Sequence, residues 1–475
     1  MLLIKQIMFR AREREDEPAL ASVGGAVSYR VLAMSVAAAV DRLQALSLQR
    51  GDLVLLQVTH PFLQVYLTVA CALLGLPSAS VPRGARPPFP GPPPRCVIVD
   101  EGAQAIECAV VAGADWLQVD PRQPVDYARL LALPGCEPAK TARYLYSSGT
   151  TGHPRCVALS AELVERWARA VTIQDRVTLN LMGLPTISGY LGLLRALASG
   201  GLLCLADTPQ AAADVMRLFR VGTLTASVGL LQAMLPSLEG KAPLMSVRLV
   251  RLMGARIPAD LMQRARVVLP AEYTVIYGST EVNVVAIGQA NGLRIAEGEV
   301  GYVVPGVGVE IVDEAGGPLP YETVGNIRIR PNGTAFYADE AGTVTGVADA
   351  AGWFVPGDLG RLSADGRVTI VGRTGDVINR GGAIVAPEAI EAVFRTDARI
   401  DDVAAVAIPQ PTGIDEIWVA IVASQPIDLN SLVQGLKAQL GADKMPNRVI
   451  QLREIPRNEN RKVRRNMLRD YLLQS

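Results

Sequence analysis

The sequence predicts an α/β protein: a large N-terminal domain of doubly wound sheets with a small β-barrel, then a smaller α+β domain at the C-terminus. Three observations predict it. Helix-like and strand-like runs alternate from Ser35 to about residue 206, the pattern of a wound parallel sheet. Between about residues 300 and 370 the runs become short and β-rich, separated by turn clusters, which reads as an antiparallel sheet or barrel. Beyond Gly372 helix and strand patterns resume over about 100 residues, enough for a domain of its own.

In order along the chain, residues 37–46 read as a helix, 53–58 as a buried strand, 65–74 as a helix and 96–99 as a short strand. The Pro- and Gly-dense stretch 83–94 reads as a surface loop inside that domain, because the alternation resumes after it. Residues 308–312, 325–330 and 367–371 read as strands, with turns at 314–317 and 364–366. Toward the C-terminus, 387–394 and 429–440 read as helices and 403–408 and 417–423 as strands, before a basic tail. At 475 residues the chain exceeds what one core supports. The expected division is 1–374 for the N-terminal domain, with the β-rich part at about 300–370, and 375–475 for the C-terminal one.

Composition excludes several function classes. Lys plus Arg and Asp plus Glu balance at 46 each, which argues against nucleic acid or an anionic membrane surface as a general partner. The opening MLLIKQIMFRARERE is broken by Lys5 and Gln6, unlike a signal peptide. The most apolar stretch, 65–76, is too short for a membrane span and stops at Pro77, so a buried helix is expected. Cys71, Cys96, Cys108, Cys136, Cys156 and Cys204 lie at irregular spacings with no CxxC pair, giving neither a zinc site nor a disulfide framework. A reducing cytoplasm is the expected compartment. His60 and His153 are the only histidines, which leaves little for Ser–His or Cys–His chemistry. Lysine is scarce, six against forty arginines, so a lysine near chemistry is informative.

The segment YLYSSGTTGHPRCV at 144–157 carries the strongest chemical signal. Its small hydroxyl and glycine residues suit an anion cradle, because glycine lets backbone N–H groups converge and the hydroxyls add donors. It follows a strand-like run, the usual place for a phosphate loop. It lacks the lysine of the GxxxxGK phosphate loop. On composition alone, a cradle and a flexible polar loop stand level.

SSGTTGHPRCV resembles the phosphate-loop signature of the adenylate-forming superfamily: acyl-CoA synthetases, peptide-synthetase adenylation domains and luciferases. YGSTE at 277–281, GWFVPGDLG at 352–360, GRTGDVINRGGAIVAPEAIE at 372–391 and NENRKVRR at 458–465 resemble that superfamily's further motifs, in its order. GEVGYVVPG at 298–306 and YR at Tyr29 extend the resemblance over nearly the whole chain.

The resemblance implies ATP-dependent activation of a carboxylic acid as an acyl-adenylate, with ATP and Mg²⁺. Ser147, Ser148, Gly149, Thr150, Thr151 and Gly152 would hold the departing phosphates, and Glu281 would hold the metal, as hard cations take oxygen ligands. Thr280 would contact the α-phosphate. Tyr277 would lie against the adenine face, with Gly254, Ala255 and Arg256 on the other side, and Gly278 and Ser279 would belong to the same ATP-binding motif. Asp358 and Arg373 would bind the ribose. Lys462 would bridge carboxylate and α-phosphate, a task that suits a compact point charge better than an Arg fork. A mobile C-terminal domain would turn about Gly375, where the family carries Asp or Lys. Gly381 and Gly382 would flank a tunnel for a pantetheine arm.

Three departures stand out: Arg155 and Cys156 replace a usual Lys-Gly, Arg461 a Gly, and Arg464 a frequent Asp. Implied pocket walls are Thr186, Ser188, Gly189, Tyr190, Val228, Met253, Gly278 and Val282. They offer no acid for a substrate ammonium, so a small or medium uncharged carboxylic acid is expected. Thr186 and Ser188 read equally as helix-cap residues. The expected acceptor is coenzyme A, making the enzyme an acyl-CoA ligase. A stand-alone enzyme loading an acyl carrier protein's phosphopantetheine is the alternative, and a nucleotide-binding protein without turnover is the reading of another class. Oligomeric state is not legible.

Overall fold

The computed structural model describes residues 2–81, 91–99, 109–112, 119–120, 122–147, 155–170, 175–381, 384–412, 414–458 and 461–474. Its contacts divide the chain into two compact units. One comprises Met1–Met253, Gln263–Val285 and Pro331–Gly352; the other comprises Gly254–Met262, Ala286–Arg330 and Trp353–Ser475.

The first unit carries two sheets. One runs, neighbour to neighbour, Glu272–Ser279, Leu249–Met253, Thr223–Ser227, Val177–Asn180, Leu202–Cys204, Pro18–Ser22 and Gly25–Ser28. All its pairs are parallel except the last. The other includes Arg155–Ser160, Thr141–Ser147, Ser78–Ser80, Val54–Gln57 and Cys96–Val99, parallel from Thr141–Ser147 onward. Helices Leu2–Glu13, Tyr29–Ala45, Pro61–Leu74 and Ile187–Ala198 share one buried core with strand residues of both sheets, among them Leu20, Leu203, Leu56, Ile98 and Leu145. This is the doubly wound α/β layering that the alternation predicts.

Local chemistry explains where those helices begin. Ser28 caps Tyr29–Ala45 by accepting a hydrogen bond from the Val31 N–H at 3.4 Å. Pro61 occupies the first turn of Pro61–Leu74, where its missing N–H is harmless, and Gly75 ends the helix with φ +74°. From Leu63 to Leu73 that helix is almost wholly buried, as expected for the most apolar stretch. Among the described residues no helix is long and apolar enough to cross a membrane. Cys71, Cys96, Cys136, Cys156 and Cys204 are free and buried.

In the second unit the β-rich stretch forms an antiparallel sheet in the order Gly308–Val312, Gly325–Arg330, Asp358–Leu362, Arg367–Arg373 and Glu299–Val303. The small barrel expected here is corrected to an open sheet: the strand order is linear, and no closed barrel is found among the described residues. Strand period reveals which faces are apolar, but closure depends on which edges meet. The C-terminal part builds a three-stranded sheet, Asp402–Ile408, Glu416–Val422 and Arg448–Leu452. Helices Pro387–Phe394 and Leu429–Leu440 bury one of its faces and Arg465–Gln474 the other. Residues 83–90 of the expected loop lie outside the described residues, and 91–94 form neither helix nor strand.

Candidate active site

Much of the loop singled out by sequence lies outside the described residues: Ser148, Gly149, Thr150, Thr151 and Gly152, as does Gly382. Ser147 ends the strand Thr141–Ser147, so the loop leaves a strand whose antiparallel partner resumes at Arg155.

The strand Glu272–Ser279 runs through Tyr277 and Gly278 into a turn at Thr280, Glu281 and Val282. Gly278 is required there, because a Cβ would strike the Asn283 carbonyl where the chain doubles back. Tyr277 and Thr280 are half-buried, whereas Glu281 keeps only 8% of its surface. Ala335 donates its N–H to the Glu281 carbonyl at 3.2 Å, bringing the strand Phe336–Ala338 alongside. From that strand the Tyr337 hydroxyl hydrogen-bonds to both Arg155 and Glu281, and the Arg155 guanidinium lies 5.1 Å from its ring centre. Burial first, and then the Glu281 charge, raise the phenol's pKa, so it remains a donor to the carboxylate. The Ser279 hydroxyl is buried with no hydrogen-bond partner among the described residues. Sequence reading missed Tyr337; a lone tyrosine in a β-run carries no chemical signature, and only the strand pairing brings it to Glu281.

The second unit assembles another cluster. The hairpin pairs Asp358 directly with Arg373, and their side chains meet at 3.1 Å between Nε and Oδ1. Asp358 is 7% exposed. Lys462 comes from far along the chain to join them, in a turn closed by a bridge between Arg457 and Val463. Asn458 holds that turn: its Oδ1 accepts from the Lys462 N–H at 2.9 Å and its own N–H donates to the Lys462 carbonyl. Desolvation and then the Arg373 charge lower the Lys462 pKa, while Asp358, Asp376 and Glu388 raise it. The residue as a whole stays exposed, so water screens these effects. Arg461 takes φ +61°, the left-handed conformation that a glycine before this lysine adopts without strain.

Gly254 (φ +88°) and Ala255 are exposed. Arg256 is half-buried, and desolvation lowers its pKa against the opposing pull of Glu388 and Glu297. A side chain at Gly375 would meet nothing within 4 Å, so neither crowding nor positive φ demands glycine there. Gly381 does need its freedom, with φ +75° in the turn between Ile378–Asn379 and Ile384–Val385.

Among the implied pocket residues, Thr186 caps the helix Ile187–Ala198. Its hydroxyl accepts from the Gly189 N–H and donates to the Gly183 carbonyl, each at 3.0 Å. The Ser188 carbonyl accepts from Asn180 Nδ2 at 2.9 Å. Tyr190, Val228 and Val282 are buried and Met253 half-buried. Cys156 is buried too, and burial pushes its thiol up to about 12, which leaves it unreactive at neutral pH.

Residues 93–335, just over half the chain, match the family model described as AMP-binding enzyme. The chain belongs to the AMP-binding enzymes. This AMP-binding enzyme is a ligase of the AMP-forming acyl-CoA synthetase type. It is 29% identical over 356 residues to a 4-chlorobenzoate–CoA ligase of Arthrobacter sp, covering 70% of this chain and 67% of that one. It is 28% identical over 407 residues to triostin synthetase I of Streptomyces triostinicus, covering 81% and 72%. The fold is that of the o-succinylbenzoate CoA synthetase of Bacillus subtilis solved with its acyl-adenylate: TM-score 0.81, 20% identity and 98% coverage of both chains.

Proposed function

We propose that this AMP-binding enzyme joins a small or medium uncharged carboxylic acid to ATP, releasing pyrophosphate, and passes the acyl group to the thiol of coenzyme A. One observation carries the reading. The only lysine of the motif NENRKVRR stands among Asp358, Arg373 and Asp376, where a nucleotide's sugar and phosphate would need opposite tasks done side by side.

In the first half-reaction a carboxylate oxygen bonds to the α-phosphorus and the bond to the pyrophosphate oxygen breaks. Two anions must approach, so positioning and charge neutralisation dominate the barrier. Lys462 would sit between them. Asp358 would accept from the ribose hydroxyls, with Arg373 holding its carboxylate in place. Tyr277 and the 254–256 segment would flank the adenine, and Thr280 the α-phosphate. The Ser279 hydroxyl, buried and without a partner among the described residues, is the kind of group that a bound nucleotide satisfies. Glu281, oriented by Tyr337, would be the protein ligand to Mg²⁺. The metal supplies neutralisation of the triphosphate charge. Residues 147–152 would hold the leaving phosphates.

In the second half-reaction the thiol sulfur bonds to the acyl carbon, AMP leaves with the bonding electrons and the thiol proton is released. Residues 375–475 would turn about Gly375 between the two, with Gly381 and Gly382 beside the pantetheine arm.

The test is acid-dependent pyrophosphate exchange across a panel of acids, followed by an offer of coenzyme A or a phosphopantetheinylated carrier to the adenylate. Lys462→Ala should slow exchange by about 10²–10³-fold while sparing thioester formation from a supplied acyl-adenylate. Equal loss of both half-reactions would remove Lys462 from this role. Exclusive transfer to the carrier would replace coenzyme A as the acceptor.

A further inference from the structure

The strand Thr141–Ser147, TARYLYS, carries one charged side chain, Arg143. Arg143 is 0% exposed, among the largest fully buried side chains of the chain. Strand register accounts for its partners. Arg143 pairs with Ser78 on the neighbouring parallel strand, and Ser80 lies on the same face two residues on. Nη1 donates to Ser78 Oγ at 2.9 Å and Nη2 to Ser80 Oγ at 2.6 Å. Nη2 also donates to the Leu184 carbonyl at 2.9 Å, and the guanidinium lies 4.8 Å from the Tyr190 ring centre. No carboxylate pairs with it among the described residues, and its Nε is buried without a partner.

Burying a guanidinium without a counter-charge is costly, and an apolar residue of similar volume would fill a core more favourably. Burial lowers its pKa to about 10, which still leaves it charged at neutral pH. What the guanidinium does that an apolar residue cannot is hold a main-chain carbonyl and an aromatic face at once, in fixed geometry. The carbonyl and the ring belong to the two ends of the segment from Leu184 to Tyr190, whose turn Thr186 caps. Four residues beyond Arg143, its own strand ends at Ser147.

We propose that Arg143 is a positioning residue that locks the Leu184-to-Tyr190 wall of the acid pocket onto the strand leading into the phosphate loop. The acid subsite and the phosphate subsite are then registered to each other through one side chain. The names of the two subsites rest on the functional reading above; the lock itself does not.

The test compares Arg143→Met, Arg143→Lys and the Ser78→Ala/Ser80→Ala pair in the full chain by two readouts. Pyrophosphate exchange gives KM for the acid and for ATP separately. Amide hydrogen exchange reads the protection of residues 184–190. Arg143→Met should raise KM for the acid about tenfold, the size of one lost charge-assisted hydrogen bond, with KM for ATP within about twofold. Protection should fall at 184–190 and hold in the strand Glu272–Ser279. Arg143→Lys should restore part of both, since the charge returns without the fork. If Arg143→Met does not fold, the serine pair decides, because it keeps the charge and loosens its hold. Unchanged protection at 184–190 in the variants overturns the proposal, as does a parallel rise in both KM values. A wild-type enzyme inactive on every acid would count against the functional reading, while the exchange readout would still test the lock.

Discussion

Arg465→Met is the most informative perturbation of the C-terminal part. The Arg465 side chain is 10% exposed and ends a network: Nη1 meets Glu391 Oε1 at 2.6 Å and Nη2 meets Glu388 Oε1 at 2.6 Å. Nη1 also donates to the Ala405 carbonyl at 2.6 Å, and Nε stands 4.0 Å from Asp376 beside Gly375. Breaking a buried pair from one side costs about 3–5 kcal/mol. Glu391 would keep Arg395 at 3.1 Å and the Ala405 N–H at 3.1 Å, which places the loss near the low end. Glu388 and Asp376 are each a third exposed and add under about 1 kcal/mol apiece. The expected loss is about 3–4 kcal/mol, read as the opening free energy of the Asp402–Ile408 amides by hydrogen exchange. Acid supplies an independent check. Burial alone would raise the Glu391 pKa, but Arg465 and then Arg395 turn the net shift downward. A depressed carboxylate contributes stability above its unfolded pKa of about 4.3, lost as pH falls through the lower folded value. Without Arg465 the folded pKa rises, so the variant should lose protection at higher pH than wild type. A loss below about 1 kcal/mol, or an unshifted acid limb, would refute this account of the network.

Two other substitutions probe the two clusters. Tyr337→Phe removes the hydroxyl joining Glu281 to Arg155 and should weaken the apparent Mg²⁺ dependence of exchange by about 5–20-fold; an identical Mg²⁺ titration would show that Tyr337 does not orient Glu281. Arg461→Gly relieves left-handed strain of about 1 kcal/mol but frees the unfolded chain by a similar amount, so net stability should change by under about 1 kcal/mol. Arg461→Val, β-branched at the same φ, should instead slow adenylation, and equal rates for the two variants would show that this turn's conformation does not govern Lys462.

What the sequence made legible follows from local physics. Periodicity and caps are local, so Gly308–Val312, Gly325–Arg330, Pro387–Phe394 and Leu429–Leu440 coincide with their expected bounds. The helix Tyr29–Ala45 was legible only in its second half, because in its first half Leu32 to Val36 are buried in succession and show no one-sided period. Asp358 and Arg373 were legible through the motifs that carry them, and the short hairpin that pairs them in register is a feature of the structure. Three features were not: the open edge of the β-rich sheet, Tyr337 against Glu281, and the burial of Arg143. Each depends on which distant strands become neighbours, and a charged residue in an apolar run reads as exposed until its partners are known.

The same distinction between local and distant contacts bears on the movement proposed for residues 375–475. Two cores of that segment, one around Phe394 and one around Leu468, draw every buried member from 378–472. A rotation at Gly375 would leave both intact, so its barrier lies elsewhere. Near the pivot, Asp376 and Val377 donate their N–H groups back to the Arg373 carbonyl, and Thr374 donates to Gly357 at 2.9 Å. Arg373 is thus both the partner of Asp358 and the anchor of the pivot. Glycine at 375 offers no side chain as a latch, but Asp376, at 4.0 Å from Arg465, offers one a residue along. Breaking that weak, partly exposed contact costs little. The larger change is the removal of Lys462 from Asp358 and Arg373, whose charges it feels in opposite directions. The triphosphate of bound ATP would strengthen that hold. Departure of pyrophosphate, which takes most of the negative charge away, would weaken it, so the chemistry of the first half-reaction itself would loosen the lysine for the second.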